Sequence, residues 1–596
     1  MKNFTIQYKI VICIFVIVWV LLLFKLFVIT IKWHDHYEKV AERNSFKQEV
    51  LVPARGHIFD RQNTLLAVNQ IFFSIYLSPL LSDEKLENVA QIIVEHINNQ
   101  DKQKIIETYK KQNSAYNHDI IKVVDYVDSD EIQNQYTLLT QQDDIFIKPT
   151  FKRFYPNNEL ASHIIGYVGA ADKNDVFYDP VSKYTTIIGK EGIEKQYNTI
   201  LQGQLGFRNS IVNAYNQKVS QGEEFKPQVQ NDIMLTIDSR LQQAIDREYV
   251  DKNGAVVVMD VHNGEILAAG SYPEYNLNDF VGGISVAKWN ALTDNTFTPL
   301  INRFVNGQYP PGSVIKMGVA MSILEYGDIN EYTKIDTPES VKIGDWYFRD
   351  WKVGGHGQTD MFKAIRESVD VYFYKLSQVV GIDNMAKVLA QMGFGQKTGI
   401  DFPRESAGIL PTPNWKARRY GQLWFAGDTV QTSIGQGSFL ATPMQIVRYT
   451  GLLASGKLPT PHFLKKQNDE EVFFEPEDVL NDFQKSKLWV LQKGMIEACN
   501  ATGGTGTRRV YSAKVKIACK TGTAQVVSIP QETKKRLKES EMAYFYRSHA
   551  WFTGFVPADK PKYAVTILIE HGQSGGNGGP IMVAITNELY RLGYLK

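Results

Sequence analysis

The sequence predicts an α+β protein with one membrane-spanning helix ahead of two or more folded domains, and three observations carry that reading. The chain has 596 residues, too many for a single compact core. Near its N-terminus lies an apolar run of bilayer length. Around Asn231 its texture changes from polar, helix-prone segments to a helix, a β-hairpin and a buried helix in close succession. A hydrophobic content of 43% with 22% charged residues describes a folded chain, and a net charge of +1 excludes a dedicated nucleic-acid binder.

From Ile10 to Thr30 the only charged residue is Lys25. About twenty apolar residues cross a bilayer, and a lysine near the far end can reach the interface. The run exceeds a signal-peptide core and no small-x-small cleavage site follows it, so a retained anchor over 10–31 is expected rather than a cleaved leader. Lys2 and Lys9 favour a cytoplasmic tail over 1–9, although Lys32 on the other side weakens the asymmetry.

Residues 32–230 read as an N-terminal domain. The segment Pro53 to Ala67, with Arg55-Gly56 and Asp60-Arg61, reads as an alternating strand with charged residues at a turn. A helical insert is expected over about 70–150, where Leu86, Val89, Ile92, Ile93 and Ile97 form one apolar stripe. His163 is expected to be structural, because no nearby serine or cysteine needs it as a base. From 231 to 596 a mixed sheet-and-helix domain follows. Asp238 or Ser239 caps a helix, Ala255 to Asp260 is a buried strand, and Asn263-Gly264 turns it into a hairpin. Of three cysteines, Cys13 lies in the apolar run, while Cys499 and Cys519 are expected as two separate buried thiols, with a bridge as the alternative.

The chemistry centres on Tyr309-Pro310-Pro311-Gly312-Ser313-Val314-Ile315-Lys316. The prolines and glycine force a turn, after which an apolar helix runs to Gly327. Ser313 then sits at a helix start with Lys316 on the same face, as in an activated acyl-transfer nucleophile. Ser-x-x-Lys should arise by chance about two or three times in such a chain. It also occurs at Ser82/Lys85 and Ser285/Lys288, but only Ser313 has both the turn and the long helix. Acyl transfer further needs a proton relay, an oxyanion hole and a group for the substrate carboxylate. Ser368 is a candidate relay hydroxyl and Asp370 a partner for the lysines. Lys-Thr-Gly occurs twice. Lys397-Thr398-Gly399 lies in a glycine- and proline-punctuated loop and is read as structural. Lys520-Thr521-Gly522 follows a strand pattern that can aim Lys520, Thr521 and Thr523 into a cleft. Gly522 would let substrate approach the backbone, and the Thr523 amide would complete an oxyanion hole with that of Ser313.

In order and context, Ser313-x-x-Lys316, Ser368-x-Asp370 and Lys520-Thr521-Gly522 resemble the three motifs of penicillin-binding proteins and serine β-lactamases. Arg55-Gly56, Asp60-Arg61 and Gly192-x-Glu194 are similar to segments of the class B penicillin-binding proteins, which are single-pass and monofunctional. Val258-Met259-Asp260, Gly435-Gln436-Gly437 and Ala550-Trp551-Phe552 extend the resemblance over most of the chain. Asp370, together with Glu570-His571-Gly572, is most similar to the elongation-type members. The sequence departs from the family at Asn63, where glycine is common, and at Val314-Ile315, where Thr-Phe is usual. Asp350 and His356 are spaced like part of a metal site in some relatives, but Val369 lies where a cysteine ligand belongs, so no metal is expected.

The resemblance implies a pedestal or dimerisation-type domain ahead of a transpeptidase domain, the latter an antiparallel sheet covered by helices with a helical subdomain. It implies a D,D-transpeptidase that crosslinks peptidoglycan stem peptides through an acyl-enzyme on Ser313, acts in cell-wall elongation and is the target of β-lactams. It implies no cofactor. The implied partners are stem peptides, β-lactams, the bacterial inner membrane, a SEDS-family glycan polymerase and elongation-complex scaffold proteins, with the catalytic domain in the periplasm. The alternatives are a division-type class B transpeptidase, a serine β-lactamase, against which the anchor and the long preceding region argue, and a non-catalytic β-lactam sensor. The polar insert Pro530 to Glu541, with Lys534, Lys535, Arg536 and Lys538, is read as a solvated loop, with a partner surface as the alternative.

Overall fold

The computed structural model of the chain describes residues 2–37, 46–115, 117, 119–212, 218–227, 232–468, 470–511, 513–527 and 538–595. Pro530, Lys534, Lys535 and Arg536 of the polar insert lie outside them. Helix α1 (Lys2–Phe27) holds the apolar run. With the turn after it, Tyr8–Lys32 is the one helical span among the described residues long and apolar enough to cross a membrane.

The chain divides into two compact units that interleave, whereas the sequence suggested one boundary at 230/231. Residues 1–54, 71–151 and 203–229 form the first unit; 55–70, 152–202 and 230–596 form the second. In the first, strands Phe46–Leu51, Gly206–Val212 and Lys218–Phe225 make a three-stranded antiparallel sheet. The stretch expected to be a helical insert is α/β. Helices Asp83–His96, Lys102–Gln112 and Ser129–Thr140 each open on a side-chain cap, from Ser82, Asp101 and Asp128. Their apolar stripes (Leu86, Val89, Ile93, Ile105, Ile132) need a surface to bury on. The β-branched strand Ile121–Val127 supplies one, with Ile121 and Val124 in the same core.

The second unit is built on five strands: β1 (Gly254–Asp260), β2 (Ile266–Tyr272), β3 (Ala518–Ala524), β4 (His549–Val556) and β5 (Tyr563–Ile569). They form an antiparallel sheet in the order β2-β1-β5-β4-β3, with β3 at an edge. Around it lie α2 (Ser239–Glu248), α3 (Lys316–Tyr326), α4 (Met361–Arg366), α5 (Asp370–Val380), α6 (Pro443–Ser455), α7 (Asp482–Asn500) and α8 (Gly579–Arg591). Alternation divides the sheet's side chains between two cores. Val256, Val258 and Ile567 pack with Leu241 and Ile245 of α2 and Ile581 and Leu589 of α8. Val257, Met259 and Leu568 pack with Val319 and Ile323 of α3 and Tyr449 and Leu452 of α6. With helices on both faces, β1 and β5 are almost wholly buried, which is why they read as unbroken apolar runs. Helix α3 is apolar on every side and buried through its first nine residues, Lys316 included.

Cys499 and Cys519 are bridged, with Cα atoms 5.7 Å apart, which corrects the expectation of two separate thiols. The last turn of α7 packs on the start of β3, and nothing in the twenty-residue spacing reveals that approach.

Segments 55–70 and 152–202 are tied together by buried charge. Glu194 accepts Arg55 Nε and Arg153 Nε, each at 2.7 Å, and all three side chains are buried. Arg55 Nη1 also donates to Asn198 Oδ1 at 3.0 Å and Arg153 Nη1 to the Gly56 carbonyl at 2.7 Å. Asp60 accepts Ser239 Oγ at 2.6 Å and the Thr64 amide at 2.7 Å, fixing the turn ahead of α2. Desolvation pushes the Glu194 carboxyl up, but Arg153 and Arg55 together hold it below the usual carboxylate range. Glu194→Ala leaves two buried guanidinium groups without their counter-ion and should cost about 3–5 kcal/mol. Because the folded pKa is depressed, that stability is present above the unfolded value of about 4.3 and is lost as pH falls through the folded one. Thermal unfolding of the full chain should show the variant melting lower at pH 7, with the gap to the unaltered chain narrowing below about pH 4.

Candidate active site

The turn that carries Ser313 is anchored before the helix begins. Tyr309 pairs in both directions with Ala441 (3.0 and 2.9 Å), and Trp551 Nε1 on β4 donates to the Pro310 carbonyl at 3.0 Å. Gly312–Ile315 is a tight 3-10 turn that passes directly into α3, so Ser313 lies one turn before a buried helix, as the sequence suggested. Ser313 is half-buried at the mouth of a cleft of about 1680 Å³, which Ser368, Asp370, Thr505, Thr521 and Thr523 also line.

The other Ser-x-x-Lys pairs do something else. Ser82 and Ser285 are helix N-caps, whose hydroxyls accept the backbone N–H of Lys85 and Lys288. A serine three residues before a lysine is a helix start in all three places; only Ser313 does not spend its hydroxyl on the cap. In Lys397-Thr398-Gly399, Thr398 gives its backbone N–H to Glu405 Oε1 at 2.8 Å and closes a loop.

Lys316 is fully buried, and its ammonium is held by three acceptors: Asp370 Oδ1 at 2.6 Å, the Ser368 carbonyl at 2.9 Å and Ser368 Oγ at 3.4 Å. Lys520, also fully buried, reaches Ser368 Oγ at 2.7 Å and the Thr521 carbonyl at 2.9 Å. One hydroxyl therefore lies between two amines. Ser368 can do this because it takes the left-handed conformation (φ +57°) in the turn between α4 and α5. That turn is braced by Trp351 Nε1, which donates to the Glu367 and Ser368 carbonyls, each at 3.2 Å. Asp370 is the first residue of α5, where the helix dipole favours a carboxylate. Burial, and then the Lys316 charge, push the Lys520 amine well below the ordinary lysine range, with Asp370 opposing them.

On β3, Thr523 Oγ1 accepts the Gly575 amide at 3.1 Å and the Thr523 carbonyl accepts Gln436 Nε2 at 3.3 Å. That carbonyl turns away from β4, and on an antiparallel edge strand the Thr523 N–H turns to the same open side. Gly522 does not do what its sequence context suggested. A side chain there would meet Val314 Cγ1 at 3.0 Å and the Pro311 carbonyl at 3.2 Å. The space a side chain would take is filled by the Ser313 turn, so this glycine lets the nucleophile's turn approach β3.

Asp350 and His356 are neighbours, with His356 Nε2 3.1 Å from Asp350 Oδ1 and Nδ1 2.9 Å from Glu367 Oε2. Asp350 Oδ2 accepts the Val371 amide at 3.0 Å. Both imidazole nitrogens are thus engaged by carboxylates that buttress the Ser368 turn, and among the described residues no group of three such side chains is arranged to hold a metal. His163 is buried edge-on against Tyr275, where desolvation brings it down to about 3. Sequence reasoning missed Trp351, Glu367 and Thr505. Trp351 and Glu367 carry no motif, while Thr505 stands in the glycine-rich run Gly503-Gly504-Thr505-Gly506, a flag for a loop.

Residues 254–591 match the penicillin binding protein transpeptidase domain, and residues 50–235 match the penicillin-binding protein dimerisation domain. The chain is 35% identical to peptidoglycan D,D-transpeptidase MrdA of Acinetobacter baumannii over 563 residues, covering 92% of this chain and 82% of that one. It is similar to the solved complex between penicillin-binding protein 2 and MreC from Helicobacter pylori, at 49% identity and a TM-score of 0.86 over 92% of this chain and 99% of that one. The solved penicillin-binding protein 2 of Pseudomonas aeruginosa is 28% identical with a TM-score of 0.70, over 92% and 98%. With a dimerisation domain ahead of a transpeptidase domain, the chain belongs to the class B penicillin-binding proteins.

Proposed function

We infer that this protein is a peptidoglycan D,D-transpeptidase of the elongation type, working through a serine acyl-enzyme and open to β-lactams at the same serine. The observation that carries the chemistry is Ser368 Oγ, held between two buried lysine amines beside the Ser313 turn. Ser313 Oγ attacks the carbonyl joining the last two D-alanines of a donor stem peptide, and Lys316 takes its proton. Lys316 is ion-paired with Asp370 in the resting site, so it first passes a proton through Ser368 Oγ to Lys520, whose burial favours the neutral amine. The amides of Ser313 and Thr523 hold the oxyanion. On collapse the C–N bond breaks, and Lys520 returns its proton through Ser368 to the departing D-alanine. An amine from a neighbouring stem peptide then attacks the ester, forming the crosslink, and its proton passes back to Ser313. Thr521 and Thr523 face the terminal carboxylate.

The relatives named MrdA support the elongation assignment, and the likeness to the complex with MreC supports a scaffold protein of that kind as partner. A SEDS-family polymerase partner rests on family resemblance alone. Lys2 and Lys9 favour a cytoplasmic N-terminus, which leaves residues 32–230 as pedestal and 231–596 as transpeptidase in the periplasm.

Ser313→Ala should abolish covalent labelling by fluorescent penicillin on a denaturing gel; persistent labelling would place the nucleophile elsewhere. Asp370→Asn should keep an acceptor for Lys316 while removing the charge that favours a second proton on the amine pair. That proton is then bound only at lower pH, so the acid limb of the acylation profile should move down by about one pH unit. A limb that moved up would reverse the assigned role of Asp370.

A further inference from the structure

The segment Glu570-His571-Gly572 follows β5 and lies outside the three motifs, yet its first residue reaches the turn that carries Ser313. Glu570 Oε1 accepts the Tyr309 hydroxyl at 2.6 Å, and Tyr309 stands four residues before Ser313. Arg303 Nε lies 3.0 Å from the same oxygen, and Arg303 is almost wholly buried. The guanidinium is itself fixed, with Nη2 donating to the Phe297 carbonyl at 2.6 Å and Nη1 to that of Thr298 at 3.3 Å. The Glu570 amide donates to the Asn253 carbonyl at 2.8 Å, just ahead of β1. One carboxylate thus joins the ends of two central strands, a loop and the nucleophile's turn.

The Tyr309 ring is placed for this contact. It stands edge-on to His549 and Trp551 of β4, with ring centroids 5.3 and 6.2 Å away. A side-chain carbon on Gly307 would fall 2.6 Å from Tyr309 Cε2 and 2.8 Å from its Oη, so that glycine leaves the space the ring folds back into. Burial, and then the Glu570 charge, push the phenol above its usual range, so at neutral pH it remains the donor. Neither Tyr309 nor Glu570 lines the cleft, whereas Pro310 and Ser313 do. Ala441 and Trp551 hold the turn by its backbone, and the Tyr309 hydroxyl adds a side-chain anchor on a charge pair.

We propose that Glu570 is a positioning residue for the nucleophile: through the Tyr309 hydroxyl it holds the turn from Pro310 to Gly312, so that Ser313 Oγ and the Ser313 amide keep their places in the cleft. Arg303 holds that carboxylate in place. This rests on the acyl-transfer reading of Ser313 and adds to it a group that never meets the substrate.

The test uses the full-length protein in detergent. It separates acylation by benzylpenicillin into the affinity of the first complex and the rate constant of ester formation. Tyr309→Phe keeps the ring and the backbone pairs and removes only the hydroxyl. It should lower the rate constant about tenfold, as expected for one hydrogen bond to a charged group, with the affinity within about twofold. Glu570→Ala should do the same, while Glu570→Gln, which keeps an acceptor for the phenol, should stay within about threefold of the unaltered protein. Combining Tyr309→Phe with Glu570→Ala should lose no more than either alone, because both remove one contact. If Glu570→Ala does not fold, Tyr309→Phe decides by itself. An unchanged rate constant in Tyr309→Phe, a loss confined to affinity, or losses that multiply to about a hundredfold in the double variant would overturn the proposal. An unaltered protein that benzylpenicillin does not label at all would instead sink the acyl-transfer reading itself.

Discussion

Two lysine amines share one hydroxyl at the centre of this molecule, and most of the second unit is arranged so that they can. Lys316 and Lys520 are both fully buried and both within 3.4 Å of Ser368 Oγ. Burying one ammonium costs several kcal/mol, and burying two side by side adds repulsion at low dielectric. The site meets this with a single carboxylate, Asp370, at a helix N-terminus, and with one amine driven toward its neutral form. A neutral amine beside a charged one, joined by a hydroxyl that can carry a proton either way, is the condition for moving protons at Ser313.

That constraint reaches outward through the backbone. Ser368 must hold a left-handed conformation, which non-glycine residues adopt only when their surroundings enforce it. Trp351 grips its carbonyl, Asp350 caps the next helix, and His356 joins Asp350 to Glu367. The pair that looked like a fragment of a metal site is better understood as part of this bracing. On the opposite wall, Gly522 lets the Ser313 turn pack directly against β3.

Much of this was legible in the sequence because it depends on local rules. The Pro-Pro-Gly turn, the apolar α3 and the β1–β2 hairpin are written in proline, glycine and alternation. Asn63 takes the left-handed conformation (φ +62°) that asparagine tolerates, so its departure from glycine costs little. What was not legible depends on residues distant in the chain. The Cys499–Cys519 bridge needs the end of α7 to meet β3, and the strand Ile121–Val127 is hidden inside a polar, helix-prone stretch until the helices require a face to bury on. Gly522 was assigned the right conformational reason and the wrong neighbour, because only the fold reveals that Val314 fills the gap.

The central claim is that Ser313, Ser368 and Lys520 converge on one reacting centre, and the acyl-enzyme formed with benzylpenicillin tests it most directly. Its structure should show an ester on Ser313 Oγ, the carbonyl oxygen facing the amides of Ser313 and Thr523, and Ser368 Oγ within hydrogen-bond distance of the released ring nitrogen. An adduct on any other residue, or a Ser368 hydroxyl turned away from that nitrogen with Lys520 unpaired, would contradict the account.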